Sequence, residues 1–205
     1  MDQITSGVGE AGKVISILCQ PDKILEWVDL PENVHVVGIN SRVKRSTRGS
    51  AYIDARTAAF MGLTIISENF LSDHKLLDGY LCNISAEELR RTYWNALPKS
   101  ISGREFLDKY GETIDPVTTV DPDKHYMVRS RSEHPIYENQ RVRSFIRYLK
   151  SARDKSSLSP EYGMIPKELI KAGELMYASH WSYRQRVGLG SHNVDVIVNK
   201  IRRIG

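Results

Sequence analysis

The chain has 205 residues, 40% of them hydrophobic and 26% charged, with a formal net charge of +4, the profile of a globular chain holding one domain, or one domain and part of another. No apolar run reaches the about 20 residues that cross a bilayer, and the first residues lack the basic, apolar, small-residue order of a signal peptide. Two cysteines, Cys19 and Cys82, are too few for a disulfide framework and have no His or Cys partners at zinc-ligand spacing, so both are expected as small buried apolar residues in a reducing, cytoplasmic setting.

The chain opens with a carboxylate, Asp2, among small, polar and glycine residues just ahead of a strand-like run. A lone carboxylate near a terminus is ordinarily solvated and nothing more. Three β-rich runs follow: Val14-Ile15-Ser16-Ile17-Leu18-Cys19, Ile24-Leu25-Glu26-Trp27-Val28 and Val34-His35-Val36-Val37-Gly38-Ile39. The breaks between them, Pro21-Asp22 and Pro31-Glu32-Asn33, carry turn chemistry, so residues 14–41 are expected as an antiparallel meander.

From about Ser50 the spacing becomes helical, with Tyr52, Ala55, Ala59 and Phe60 on one face. Ser102-Gly103-Arg104-Glu105 has the serine-to-glutamate interval of a capping box ahead of Phe106, Leu107 and Tyr110. Val142, Phe145, Ile146 and Leu149 predict a helix across 137–153. Residues 156–166, rich in Ser and Pro, read as an exposed connection. Leu169, Ala172, Leu175, Met176 and Tyr183 mark a further helix, Gly188-Leu189-Gly190-Ser191 a turn, and Val194, Ile197, Val198 and Ile201 a last helix. Strands first and helices after give an α+β class.

Several groups invite a functional claim. Arg42, Lys44, Arg45 and Arg48 form one basic cluster, Arg141, Arg143 and Arg147 a second, and Lys200, Arg202 and Arg203 a third. Such bunching can attract phosphate. It comes without zinc-finger spacing or an aromatic RNA-binding signature, so solvated helix faces are expected and a nucleic-acid module is not. His180 lies beside Ser179 and Ser182, but with no acid at an interpretable spacing, and with His180 and Ser182 on different helix faces, a hydrogen-bonded structural histidine is expected. A bare Gly188-Leu189-Gly190 following a helix fits an interhelical turn better than a phosphate cradle.

Five segments taken in order resemble the sugar-kinase branch of the GHMP kinase superfamily, the galactokinase- and arabinokinase-like enzymes. They are MDQITSGVGEAGK (1–13), NSRVKRSTRGSAY (40–52), PVTTVDPDKHYMVRSRSEHPIYENQRV (116–142), MYASHWSY (176–183) and GLGSHNVD (188–195). The last three run closer to the arabinokinase type. No one motif is decisive; their order is what carries the resemblance.

The resemblance implies roles. Asp2 matches the family's active-site aspartate beside the anomeric hydroxyl of the sugar, where a carboxylate can take the proton of an otherwise poor nucleophile as the phosphoryl group arrives. Tyr52 matches a tyrosine whose hydroxyl touches the sugar; core packing on its helix is the competing reading. The cofactors implied are ATP and Mg, the substrate a monosaccharide such as arabinose or galactose. The fold implied is the remainder of a GHMP N-terminal domain over residues 1–46, followed by a ferredoxin-like C-terminal α+β domain over 47–205.

The Gly/Ser-rich loop that cradles the nucleotide phosphates and the family's last glycine-rich motif have no counterpart in these 205 residues. The expectation is therefore a kinase portion that is silent in isolation, or a non-catalytic binding or complementing subunit. Uncovered strand edges lead to an expectation of self-association or of a complementing chain.

Overall fold

A computed structural model describes residues 2–31, 34–44, 49–70, 77–156 and 165–204. Arg45 and Arg48 of the first basic cluster, and most of the expected connection at 156–166, lie outside these residues. The described elements mix helices with two small antiparallel sheets, an α+β composition.

Contacts divide the chain into two units, Met1–Ile39 with Arg141–Ala178, and Asn40–Gln140 with Ser179–Gly205. The first unit opens with helix α1 (Asp2–Val8) and a hairpin of β1 (Lys13–Leu18) and β2 (Lys23–Asp29). The strands pair from Lys13 opposite Asp29 to Leu18 opposite Lys23, with an irregularity between Ser16 and Ile17. Helix α1 was not expected from a segment holding Gly7 and Gly9. Asp2 in its first turn complements the helix dipole, and the Trp27 indole donates to the Val8 carbonyl at 3.2 Å, tying its end to β2.

The third expected strand does not form: residues 34–39 are non-strand, with Val36 and Val37 almost fully exposed. An apolar β-branched run is only competent to pair, and a strand exists where a neighbour takes its backbone groups. Here the β1–β2 ladder closes at Leu30, whose N–H donates to the Gly12 carbonyl, and residues 34–39 do not add a third strand to it. The hairpin is held within its unit by ion pairs from Lys150 to Glu26 and from Arg153 to Asp29. Val28, Leu149, Ala152 and Ala172 are buried there. Cys19 is exposed, contrary to expectation, because it falls just beyond β1 at the hairpin turn; Cys82 is half-buried, and neither forms a disulfide.

The second unit is built around α2 (Ser50–Phe70), whose middle, Met61 to Ile66, is buried without interruption. A short 3-10 turn (Leu81–Asn83) and α3 (Ala86–Glu88), extended by a π-turn over Leu89–Tyr93, supply Leu81, Leu89 and Tyr93 to the core. The strand pair β3 (Ile101–Ser102) and β4 (His125–Tyr126) flanks α4 (Gly103–Tyr110). The expected cap on α4 is present, with the Ser102 hydroxyl accepting from the Glu105 N–H at 3.2 Å, and Phe106 is fully buried.

Helix α5 (Val128–Ser156) begins well before the expected position and runs through Pro135. The proline removes one helical hydrogen bond, but Val128, Ser132 and Ile136 are packed into the core on either side of it. Helix α6 (Lys167–Ser182) continues into a π-turn (Tyr183–Val187) that ends at Gly188, with φ of 77°. That left-handed cap suits glycine, and it makes residues 188–191 the expected turn into α7 (His192–Ile204).

Candidate functional site

Asp2 lies in the first unit and Tyr52 in the second. Asp2 is exposed in the first turn of α1. Tyr52 stands in the first turn of α2 and is 38% exposed, so it is not a core residue, although Ala55 on the same face is buried.

One turn on from Tyr52 is Arg56, which sequence reading passed over. Its guanidinium makes a two-point pair with Asp115, Nε to Oδ2 at 2.7 Å and the terminal nitrogen to Oδ1 at 2.8 Å. It also lies 5.2 Å from the Phe60 ring centroid. Two-point Arg–carboxylate pairing is strong and fixes direction as well as distance.

Asp115 is held from its other side too. Its carboxylate accepts from the Thr118 hydroxyl at 2.6 Å and from the Val117 N–H at 3.2 Å. Its side chain is wholly shielded from solvent while that of Arg56 is one-third exposed. The Arg56 guanidinium first, and the Thr118 and Val117 donors after it, hold the carboxyl down at about 2 despite the opposing effect of burial. Asp115 in turn raises the Arg56 pKa. Both groups are thus charged throughout the neutral range.

The Ser–His candidate resolves differently. His180 Nε2 lies 3.0 Å from Asp195 Oδ1, an acid in the first turn of α7 that no sequence interval indicated. Arg184 Nε reaches the other oxygen of that carboxylate at 3.1 Å. Ser182 pairs not with His180 but with His134 of α5, Oγ to Nδ1 at 3.0 Å, and is completely buried. A hydroxyl without solvent access is no nucleophile for an external substrate. His180 is hydrogen-bonded as expected, although an acid partner does exist.

Close by, Arg186 pairs with Glu133 at 2.6 Å and lies over the rings of Tyr137 and Trp181, at 4.9 and 4.8 Å. Arg131 donates to the Arg186 carbonyl beside Gly188, and desolvation lowers its pKa. These groups staple the α6–α7 turn to α5.

Among the described residues no group of three or more His, Cys, Asp or Glu side chains could hold a metal ion. No helix among them is long and apolar enough to cross a membrane.

Comparison with known proteins gives two informative likenesses. The chain is 32% identical to the L-arabinokinase of Arabidopsis thaliana, over 98% of its own length and 21% of that protein. It is 24% identical to the galactokinase of Actinobacillus succinogenes (strain ATCC 55618 / DSM 22257 / CCUG 43843 / 130Z), over 97% of its own length and 38% of that protein. It therefore spans well under half of either relative. No family model matches the chain, and no solved structure matches it.

Proposed function

Because this chain is related to the galactokinase- and arabinokinase-like GHMP sugar kinases, we propose that it carries the base and sugar-contact segments of an ATP-dependent kinase acting on the anomeric hydroxyl of a monosaccharide, arabinose or galactose. The observation that carries this reading is a likeness to an arabinokinase over almost the whole chain.

Asp2 is the proposed catalytic residue. Its exposed carboxylate takes the proton of the anomeric hydroxyl as that oxygen forms a bond to the γ-phosphorus and the bond to the ADP leaving oxygen breaks. Tyr52, exposed on α2, hydrogen-bonds the sugar. ATP supplies the phosphoryl group. A nucleotide cradle and the ligands of the accompanying magnesium are assigned to sequence beyond these segments, in the same polypeptide or in a partner. In this scheme residues 1–46 complete the GHMP N-terminal domain and 47–205 form a ferredoxin-like C-terminal domain, in a cytoplasmic protein. The isolated 205-residue chain is then silent, because the base and the phosphates must be positioned together.

The exposed Leu25 and Trp27 of β2, together with Val36, Val37 and Ile39, favour one second reading, a non-catalytic subunit that complements another chain or itself. The test is a coupled assay with ATP and a panel of monosaccharides, run on the full-length gene product and on the 205-residue chain. Turnover by the first alone supports the kinase reading. Turnover by neither favours the non-catalytic subunit, and robust turnover by the short chain overturns the division of labour.

A further inference from the structure

We infer that Arg143, Arg147 and Lys171 form a docking surface on the first unit for an acidic protein segment, one that brings carboxylates to these three cations. The inference goes beyond the kinase reading and holds whether or not the chain takes part in phosphoryl transfer.

Helix α5 shows how its cations are used. Lys150 pairs with Glu26 and Arg153 with Asp29, so two basic side chains of the helix take the two acids that β2 presents. Arg143 and Arg147 stand on the same helix, both exposed. They are four positions apart and so share one face, about a turn from each other. Among the described residues neither makes an ion pair with a carboxylate.

A third cation joins them from another element. The Lys171 ammonium of α6 lies 5.6 Å from the centroid of the Tyr148 ring, and the Arg147 guanidinium lies 5.5 Å from the same centroid. Lys171 is exposed and Tyr148 half-buried, and Lys171 too has no carboxylate partner among the described residues. The ring attracts both cations and gathers like charges that would otherwise spread apart. A carboxylate arriving there relieves that repulsion, and finds side chains whose positions are already restricted.

The partner's chemistry follows from the pairing that α5 already makes. Glu26 and Asp29 are side-chain carboxylates on an extended protein segment, and the remaining cations of the helix suit a second segment of that kind. Tyr148 is occupied by its two cations and offers no open platform of the sort on which nucleic-acid bases stack.

The experiment titrates the 205-residue chain into a fluorescein-labelled oligoglutamate peptide and follows anisotropy at low and at physiological ionic strength. Saturable binding that weakens with salt is expected. The double variant Arg143→Gln/Arg147→Gln is expected to weaken it about tenfold, and Lys171→Gln by a smaller factor. Lys200→Gln/Arg203→Gln removes the same charge from exposed positions of α7 and is expected to leave binding nearly unchanged. If the first double variant is poorly folded, Lys171→Gln against the α7 pair carries the test. The inference is overturned if oligoglutamate does not bind, or if the α7 pair weakens binding as much as the α5 pair, since net charge alone would then be acting. Tighter binding of duplex DNA, or of phosphatidylserine vesicles, than of the peptide would also overturn it.

Discussion

Gly62 on α2 faces Ser132 on α5 so closely that a Cβ built on the glycine would lie 1.8 Å from the serine Oγ and 3.0 Å from its Cβ. Ser132 is fully buried and its hydroxyl donates to the Val128 carbonyl, so it has nowhere to retreat. Gly62→Ala should therefore destabilise the fold by about 1–3 kcal/mol despite the better helix propensity of alanine. Ser132→Gly in the same chain should recover part of that loss. Urea denaturation of wild type and the two variants checks it; a Gly62→Ala chain as stable as wild type would mean that the helices do not meet there.

The Asp115 carboxyl gives an acid limb to the stability curve. Held at about 2 against an ordinary 3.8, it contributes stability that is fully present above about pH 4 and disappears as the pH falls through 2. The contribution is roughly 2 kcal/mol. Asp115→Asn should lower stability at neutral pH and flatten the decline between pH 4 and 2, read by thermal melts across that interval. An unchanged acid limb would show that the pair with Arg56 does not persist in solution.

For the chemistry, Asp2→Asn keeps the size of the side chain but removes its capacity to accept a proton. In the full-length gene product it should abolish phosphoryl transfer while leaving sugar binding nearly intact, so the loss appears in kcat. Tyr52→Phe should instead weaken sugar binding by roughly 0.5–1.5 kcal/mol. Full-rate turnover by Asp2→Asn would remove that residue from the mechanism.

Asp195→Ala would leave His180 and Arg184 facing an empty place in a site where the acid itself is only 6% exposed. A cost of about 1–3 kcal/mol is expected. Asp195→Asn, which can still accept from His180, should cost less. Chemical denaturation of the two variants should rank them in that order, and equal losses would deny the hydrogen bond its part.

The β1–β2 hairpin has two strands, and Leu25 and Trp27 on β2 are 53% and 40% exposed. Concentration-dependent association is expected by sedimentation velocity for the 205-residue chain, reduced by Leu25→Lys, since charge on an edge strand discourages pairing. A monomer at every concentration would count against both self-association and an adhesive hairpin.

The helices were legible where apolar spacing and caps coincide: Ser102 announces α4, and Leu169 to Met176 announce α6. The first two strands were legible from their β-rich runs and the turn residues between them, whereas residues 34–39 carry the same composition without a neighbour to pair with. Composition reports what a segment can do, and pairing depends on what lies beside it. Helix α1 was hidden by Gly7 within it and Gly9 just beyond, and is fixed by a contact from Trp27 to Val8, nineteen positions away. Of the candidate site, Asp2 and Tyr52 came from resemblance. Arg56 could have been found, since it stands one helical turn from Tyr52. Asp115 and Asp195 could not, because their partners are brought to them by chain reversals that leave no periodic mark.

The interleaving of the two units also sets a timetable. The hairpin is made early, but its unit includes Arg141–Ala178, so Glu26 and Asp29 must wait for Lys150 and Arg153. Residues 40–140 are synthesised in between, which at about 5–20 residues per second takes on the order of 5–20 s on the ribosome. Through that interval the newborn hairpin is open to whatever chaperone or neighbouring nascent chain reaches it first.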